Sequence, residues 1–414
     1  MSEYALHDFV VFLKRVEPLA AKMSSSCAIL SIDIDRFRRL SLSLGTDDVD
    51  MLFLQLVRRL KHEIRSHDIL ARTGRDGFVI FVNGTTSKNS VIKLCKRLLA
   101  TVHEPFLLKS REVLIKLSIG VSYQDAKPLP VKELVRRADV ALQFQKVSGG
   151  SNFNTFKASL DKELKRQQTI ADDLATALES KDQIVVHYQP LFSRRDLTLV
   201  GHEALVRWRH PTDGWLSPAE FLPQAEATGL INQLGQHVLE AAARVARHRP
   251  GEFVAVNVSP QQCRVASFAE QAEASVRSFG CSPEQFELEL TEHIMMDDEQ
   301  SALTVRDLRK RGFRIVLDDF GSGYCSIAYL RRFMIDKLKI DRQFIVNIDE
   351  DEKSIKIVRG IIGLAHALDI QVTAEGIETQ RQLSLMQETD CDELQGFLLG
   401  KPVPLKPEGQ GIQI

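Results

Sequence analysis

No two cysteines in this chain are spaced C-x-x-C: Cys27, Cys95, Cys263, Cys281, Cys325 and Cys391 lie far apart, and the histidines are equally dispersed. That pattern argues against zinc and disulfide frameworks and for buried thiols in a reducing compartment. Any metal should then be held mainly by oxygen, which points to magnesium, manganese or calcium. No uninterrupted apolar run approaches the roughly 18 residues of a membrane span. The N-terminus lacks the basic-then-apolar pattern of a secretion signal, so a cytoplasmic location is expected. An excess of one charge is missing as well. A net charge of -1 gives no footprint of a protein that binds nucleic-acid polymers or membrane surfaces.

What is present is a soluble composition, 44% apolar and 26% charged, over 414 residues, enough for two or three cores. In the first part, Cys27 to Asp35 reads as a strand and Asp47 to Ser66 as an amphipathic helix. A glycine-bracketed hairpin follows over Ala71 to Phe81. Then come a helix (Lys88 to Leu99), a strand (Glu112 to Tyr123) and a helix (Val131 to Gln145). Alternating strands and helices around an antiparallel hairpin suggest an α/β sandwich of ferredoxin-like or nucleotide-cyclase type. The Ser148 to Asn152 cluster closes this unit, and a polar helix around Asp161 to Lys181 connects it to the next. The expected division is 1–156, a linker helix region at 157–168, and 169–414.

The second part carries eight short apolar segments: Ile184 to Tyr188, Gly201 to Trp208, Phe253 to Val258, Phe286 to Leu290, Ile315 to Leu317, Lys337 to Ile340, Val372 to Ala374 and Glu393 to Leu399. Helical stretches such as Pro223 to Ala246, Asp298 to Arg311, Ser354 to Leu368 and Gln380 to Gln387 lie between most of them. This is the pattern of a (β/α)8 barrel. Only Ser193 to Leu197 joins the first two segments, too few residues for a crossover helix. That pair should be antiparallel, and the barrel a modified one.

Polar residues recur within or at the ends of these segments: Gln189, Glu203, Asn257, Glu289, Asp318 with Asp319, Lys339 with Asp341, Glu375 and Gln395. In such a barrel the functional strand ends open onto one face. One mouth would then gather several carboxylates, an amide and a lysine. Asp318 and Asp319 are neighbours on a strand, so they converge only where the chain turns out of the sheet. The alternative for that stretch is that Asp319 caps a turn and Asp318 is solvated. A convergent acidic set fits two-metal hydrolysis of a phosphodiester. Lys339 would then stabilise or activate the attacking water, or else balance charge. Arg207 would either grip a phosphate or stack on Trp208.

These residues resemble a known family. Glu203-Ala204-Leu205-Val206-Arg207-Trp208 is similar to the signature of EAL domains, the cyclic di-GMP phosphodiesterases. The resemblance continues, in order, through Tyr188-Gln189-Pro190-Leu191, Asn257-Val258-Ser259, Glu289-Leu290-Thr291-Glu292, Asp318 to Tyr324, Lys337 to Asp341, Ala374-Glu375-Gly376 and Leu394-Gln395-Gly396. It implies that Glu203, Asn257, Glu289, Asp318, Asp319 and Asp341 hold two divalent cations, Mg2+ or Mn2+. Lys339, Glu375 and Glu203 would form the catalytic set, with Gln189, Arg207 and Gln395 on the dinucleotide. Glu292 would brace the Asp319 to Tyr324 loop. A homodimer through the barrel is also implied. Met334 stands where the family usually has proline.

The first part resembles the GGDEF diguanylate cyclase domain in degenerate form. Arg72-Thr73-Gly74-Arg75-Asp76-Gly77-Phe78 aligns with R-x-G-G-D-E-F, with Arg75 in place of the second glycine and Gly77 in place of the glutamate. A bulky side chain would stand where backbone must approach phosphates. Asp33 and Asp76 keep the family's metal positions, while Ser41-Leu42 replaces the Asn-Asp pair and Asp50 persists. Arg65 and Asp68 keep the R-x-x-D spacing of the product-binding inhibitory site, and the purely structural reading of that spacing is preferred. No cyclase activity is expected. The resemblance implies a phosphodiesterase that opens cyclic di-GMP to linear pGpG. The competing reading is a cyclic di-GMP receptor without turnover, but such receptors typically lack several of the ligands that this chain keeps.

Overall fold

The computed structural model describes residues 7–21, 27–84, 87–109, 111–124, 128–180, 182–292, 299–321, 334–349 and 351–405. It divides into two compact units, Met1–Arg166 and Gln167–Ile414.

In the first unit β1 (His7–Asp8), β2 (Ala28–Ile34), β3 (Ile69–Arg72), β4 (Gly77–Val82), β7 (Leu117–Tyr123) and β8 (Phe153–Thr155) form one sheet, ordered β1-β3-β4-β2-β7-β8. A separate two-stranded ribbon joins β5 (Phe106–Leu107) to β6 (Glu112–Val113). The single strand expected over Glu112 to Tyr123 is therefore two, because β6 pairs with β5 while β7 pairs with β2. Helices Thr46–Glu63 and Lys88–Ala100 bury Leu52, Leu56, Leu60, Leu94 and Leu98 on one face of the sheet. Helices Phe9–Ala21 and Val131–Val147 bury Phe12, Val16, Leu134 and Ala138 on the other. The latter helix sits so close to β7 that a methyl group on Gly120 would lie 2.0 Å from the carbonyl oxygen of Ala138. Helix Ala158–Ser180 follows β8.

The second unit is the barrel. Its strands are β9 (Ile184–Ser193), β10 (Leu199–His210), β12 (Phe253–Asn257), β13 (Phe286–Thr291), β14 (Arg314–Phe320), β15 (Lys337–Ile340), β16 (Gln371–Ala374) and β17 (Glu393–Leu394), and a short β11 (Gly214–Leu216) is added beside β10. The sheet closes because β9 pairs with both β10 and β17, and both pairings are antiparallel. Every other neighbouring pair of barrel strands is parallel. The five-residue connection Ser193 to Leu197 makes this unavoidable, since a hairpin is the only link that short between adjacent strands.

The helix expected from Pro223 to Ala246 is two, Pro218–Thr228 and Ile231–Ala246. Gly229 separates them with φ 80°, a left-handed helix end that glycine adopts at no steric cost. Ser217 and Glu220 cap the first of the pair reciprocally. The last strand stops at Leu394 instead of running to Leu399. At Gly396 the chain presses on the 377 backbone, where a Cβ would meet the Ile377 carbonyl oxygen at 2.1 Å. Between barrel and helices lies the main core, including Val254, Leu288, Ile315, Leu338, Val372, Val305 and Ile362. Cys27, Cys95, Cys263, Cys281 and Cys391 are buried free thiols; Cys325 lies outside the described residues. No helix among the described residues is long and apolar enough to cross a membrane.

Candidate active site

Side chains alternate along a strand, so each barrel strand lends every second residue to the interior. Glu203 lies opposite Gln189 on β9 and beside Ala255 on β12, and Asn257 ends β12 beside Glu289. Lys339 on β15 lies beside Thr373, two residues before Glu375. The result is a charged layer at the mouth centred on Lys339, which is 2% exposed. Its Nζ stands 2.6 Å from Glu375 Oε1 and 2.8 Å from Glu289 Oε1, with Glu203 Oε2 at 3.6 Å and Asp318 Oδ1 at 3.7 Å. Glu203 also accepts hydrogen bonds from Asn257 Nδ2 at 2.9 Å and Gln395 Nε2 at 2.7 Å.

Asp318 and Asp319 leave the strand alternation by a specific device. The β14–β15 register slips between Leu317 and Phe320, and Asp319 takes φ 56°. An aspartate accepts that left-handed backbone more readily than most residues. The Asp319 N–H donates to Asp318 Oδ1 at 2.9 Å, and the Asp319 side chain hydrogen-bonds that of Asp341. Asp341 in turn accepts the Gln343 N–H at 2.7 Å and so caps the short turn Arg342–Phe344. Glu292 Oε1 accepts the Gly321 N–H at 2.9 Å. Ser322 to Tyr324 of the expected loop lie outside the described residues.

Negative charge exceeds positive charge in this layer, and the protonation equilibria reflect it. Burial pushes the Lys339 ammonium down, but Glu203, Glu289, Glu375 and Asp318 more than reverse this and hold it charged. Burial and then the charge of Glu203 drive Glu289 well above the usual carboxylate range. Glu375 is lifted to about 7 by burial, against the pull of Lys339 and with further push from Asp318 and Glu203. Burial, Asp318 and Asp341 raise Asp319 to about 6. Glu203 ends below its ordinary value: burial raises it, but Lys339, Gln395 and Asn257 outweigh that.

Among the described residues, no three Asp, Glu, His or Cys side chains meet the spacing of a metal-ligand group; these carboxylates surround Lys339 instead. Their chemistry nevertheless fits divalent cations. The donors are oxygens, they repel one another, and Glu289 Oε2 is buried with no hydrogen-bond partner.

Two of the three residues expected on a substrate, Gln189 and Gln395, line the same opening, a cavity of about 210 Å³ that Glu203, Asp318, Lys339 and Glu375 also line. Gln189 Nε2 donates to the Gly400 carbonyl at 3.1 Å. The Gln395 amide is tied to Glu203, while its own Oε1 is buried without a partner. Arg207 donates to the Val206 carbonyl at 2.8 Å and feels the charge of Glu203 without touching it. Trp208 points to the opposite face, against Phe221 and His210. A larger hollow of about 820 Å³ lies in the first unit, but among the described residues Asp35 is the one carboxylate lining it. Convergent charge, not size, singles out the barrel mouth.

A second charged layer lies beneath the first and was missed in the sequence. Lys337, 1% exposed, reaches both oxygens of Glu287 at 2.7 Å and those of Glu393 at 2.9 and 2.7 Å. Thr373 donates to Glu393 at 2.9 Å, and Arg314 lies 2.9 Å from Glu287. The ammonium also sits 4.0 Å from the centre of the Phe253 ring, which fills space that any side chain at Gly201 would occupy. The signal was there to read. Glu287, Lys337, Thr373 and Glu393 each precede a mouth residue by two, which is the strand period.

In the first unit Asp33 pairs with Lys146 at 2.7 Å, and burial raises its carboxyl despite that partner. The Arg75 turn is closed by Arg72, whose Nε and Nη2 donate to the carbonyls of Gly74 and Arg75, each at 2.7 Å. The carbonyl of Asp76 accepts the Ile34 N–H at 3.3 Å. Asp68 accepts the backbone N–H groups of Arg65 and Asn83 at 2.9 and 3.0 Å, so the R-x-x-D spacing serves the turn here.

Residues 171–402, more than half of the chain, match the EAL domain, and residues 9–152 match the family described as diguanylate cyclase, GGDEF domain. The chain belongs to the EAL-domain family. The cyclic di-GMP phosphodiesterase NbdA of Pseudomonas aeruginosa is 35% identical over 401 residues, which cover 95% of this chain and 51% of that protein. MucR of the same organism, a bifunctional diguanylate cyclase/cyclic di-GMP phosphodiesterase, is 34% identical over 91% of this chain and 56% of its own length. The chain thus spans about half the length of the curated relatives it matches. Among solved structures, the PaMucR phosphodiesterase in complex with c-di-GMP is 38% identical with a TM-score of 0.54, covering 57% of this chain and 98% of that one. An EAL-domain protein of Listeria monocytogenes is 26% identical with a TM-score of 0.51, covering 56% and 94%. Eight closed barrel strands with one reversed, preceded along the chain by a cyclase-like α/β GGDEF unit, form the architecture expected from the sequence.

Proposed function

We propose that the EAL unit hydrolyses cyclic di-GMP to linear pGpG and that the GGDEF unit makes no cyclic di-GMP and serves as a regulatory or dimerising module. One observation carries this reading: four carboxylates converge on the buried Lys339 ammonium, and one of their oxygens, Glu289 Oε2, has no hydrogen-bond partner. The layer below sets two carboxylates, Glu287 and Glu393, against two cations, Lys337 and Arg314; four carboxylates on one ammonium are a surplus that is costly unless further cations share it.

Glu203, Asn257, Glu289, Asp318, Asp319 and Asp341 would hold two divalent cations, Mg2+ or Mn2+. When bound, these neutralise phosphate charge and make water more acidic. The remaining work falls to the chain itself. Arg207, half-buried beside the mouth, takes a phosphate oxygen. Lys339 places positive charge beneath the phosphorus and orients the attacking water, and Glu375 fixes the ammonium that does so. Gln189 and Gln395 position the nucleotide, and Glu292 holds the chain at Gly321. The water oxygen bonds to phosphorus, the bond from phosphorus to one ribose 3′ oxygen breaks, and that oxygen leaves as a hydroxyl carrying a proton from the water.

In the first unit, Arg75 and Gly77 remove the close backbone approach and one carboxylate, and Lys146 already occupies Asp33. The same reading takes the chain as cytoplasmic and as pairing through its barrel, which sedimentation would check.

The test is direct. With cyclic di-GMP and Mg2+ or Mn2+ the chain should release pGpG, followed by chromatography. Binding without product would establish a receptor instead, and accumulation of cyclic di-GMP from GTP alone would overturn the reading of the first unit.

A further inference from the structure

Beyond Ala204, β10 loses its parallel partner β12; it stays paired with β9 as far as Trp208 and with β11 from Trp208 to His210, a lip that extends past the level of Glu203. Alternation places Glu203, Leu205, Arg207 and Arg209 on one face, with Gln189 and His187 on the matching face of β9. On the other side of β10, Trp215 of β11 lies opposite Arg209 and so shares that face. Its ring meets His187 edge to face across the lip, with centroids 5.6 Å apart and planes at 65°. Trp215 is 57% exposed, whereas the other of the two tryptophans, Trp208, is fully buried.

An indole braced by a second ring yet open to water has a large flat area to offer a planar ligand. Its place on the lip narrows which one. The His187–Leu205 pair lies two residues past the Gln189–Glu203 pair, or about 7 Å at the rise of a strand. Trp215 itself pairs with Arg209, six residues past Glu203, and its ring reaches back to His187. Arg207 lies on the same strand two residues beyond Leu205, close enough for its charge to act on both Glu203 and His187. The carboxylate of Glu203, the His187 ring that braces Trp215, and the Arg207 cation therefore share a single sheet face.

We propose that Trp215, steadied by His187, is the platform on which one purine base of the dinucleotide stacks, and that it sets specificity for a nucleobase at this end of the site. This rests on the reading of the EAL unit as acting on cyclic di-GMP. Stacking on an aromatic side chain typically strengthens binding by a factor of about 5 to 150 per base.

The test uses the two-tryptophan composition. The full chain is mixed rapidly with cyclic di-GMP and Mg2+, and tryptophan emission is followed ahead of pGpG formation, with binding measured in parallel by calorimetry. Emission should be quenched on binding, and iodide should lose access to the exposed indole; Trp215→Leu should abolish both responses. That variant should raise KM about 5- to 150-fold with kcat retained, and Trp215→Phe should recover most of the loss. Binding heat and turnover with unchanged emission, or a Trp215→Leu KM within about twofold of the parent, would overturn the platform alone. Absence of any binding by the unmodified chain would overturn the platform and the phosphodiesterase reading together.

Discussion

Lys339 Nζ lies 2.6 Å from Oε1 of Glu375, in a layer where carboxylates outnumber ammonium groups. Replacing Lys339 with Met should therefore have two separable effects. Turnover should fall roughly 10²- to 10⁴-fold, the range for loss of a group acting on a transferred proton or its charge. In chelator, urea unfolding should show a loss of about 3–5 kcal/mol, because buried carboxylates lose their partner. Mn2+ should restore part of that stability. Full turnover in this variant would end the catalytic assignment of Lys339.

Lys337 offers the complementary case, since it touches protein groups alone and is enclosed by Glu287 and Glu393. Lys337→Met should lower stability by about 3–5 kcal/mol. The triple change Lys337→Met, Glu287→Gln, Glu393→Gln leaves only Arg314, which is part-exposed, without its carboxylate and should regain most of it. If the triple variant is as unstable as the single one, the cost comes from shape and not from unpaired charge.

His202 is fully buried, and both ring nitrogens lack a hydrogen-bond partner; Glu252 Oε2 is 3.1 Å from Nδ1 but outside hydrogen-bonding geometry. Burial, with the charge of Arg249 adding to it, lowers its pKa to about 4 from the usual 6.5. The unfolded chain then binds a proton that the folded chain refuses. Stability from this residue is complete above about pH 6.5 and declines as pH falls toward 4, by up to about 3 kcal/mol. The pH dependence of urea midpoints should flatten over that window in His202→Leu. An unchanged slope would mean that His202 is protonated in the native state.

Glu292 accepts the N–H of Gly321, the residue after the end of β14 and two past Asp319. Glu292→Ala should reduce turnover and raise the Mn2+ concentration needed for half-maximal rate. Thermal stability should fall by about 1 kcal/mol for each hydrogen bond lost, the one from Gly321 among them. Glu292→Gln, which keeps an acceptor, should fall between the two. Equal activity in all three proteins would remove Glu292 from the site.

The barrel could be read in the sequence because its strands are short apolar runs ending in polar residues, and because Ser193 to Leu197 is too short to cross over. The convergence at Asp318 and Asp319 was visible as a need, but its solution, a register slip with φ 56° at Asp319, depends on how β15 docks. The Lys337 layer went unseen because Glu287 and Lys337 sit inside apolar runs, where a charge is usually assigned to the solvent side of a strand. Only closure of the sheet turns that side inward. Gly229 and Gly396 end their elements for reasons of backbone conformation and close approach, which a hydrophobic period does not register.

The reversed first strand has a mechanical consequence. In a barrel of uniformly parallel strands the chain would enter at the base, far from the chemistry; here β9 begins at the rim and descends, so Ile184 and Val185 stand beside Trp208 and Arg207. The polypeptide that precedes β9 is therefore joined to Gln189 within a few peptide units, along a hydrogen-bonded ribbon whose other edge bears the glutamate of the family signature.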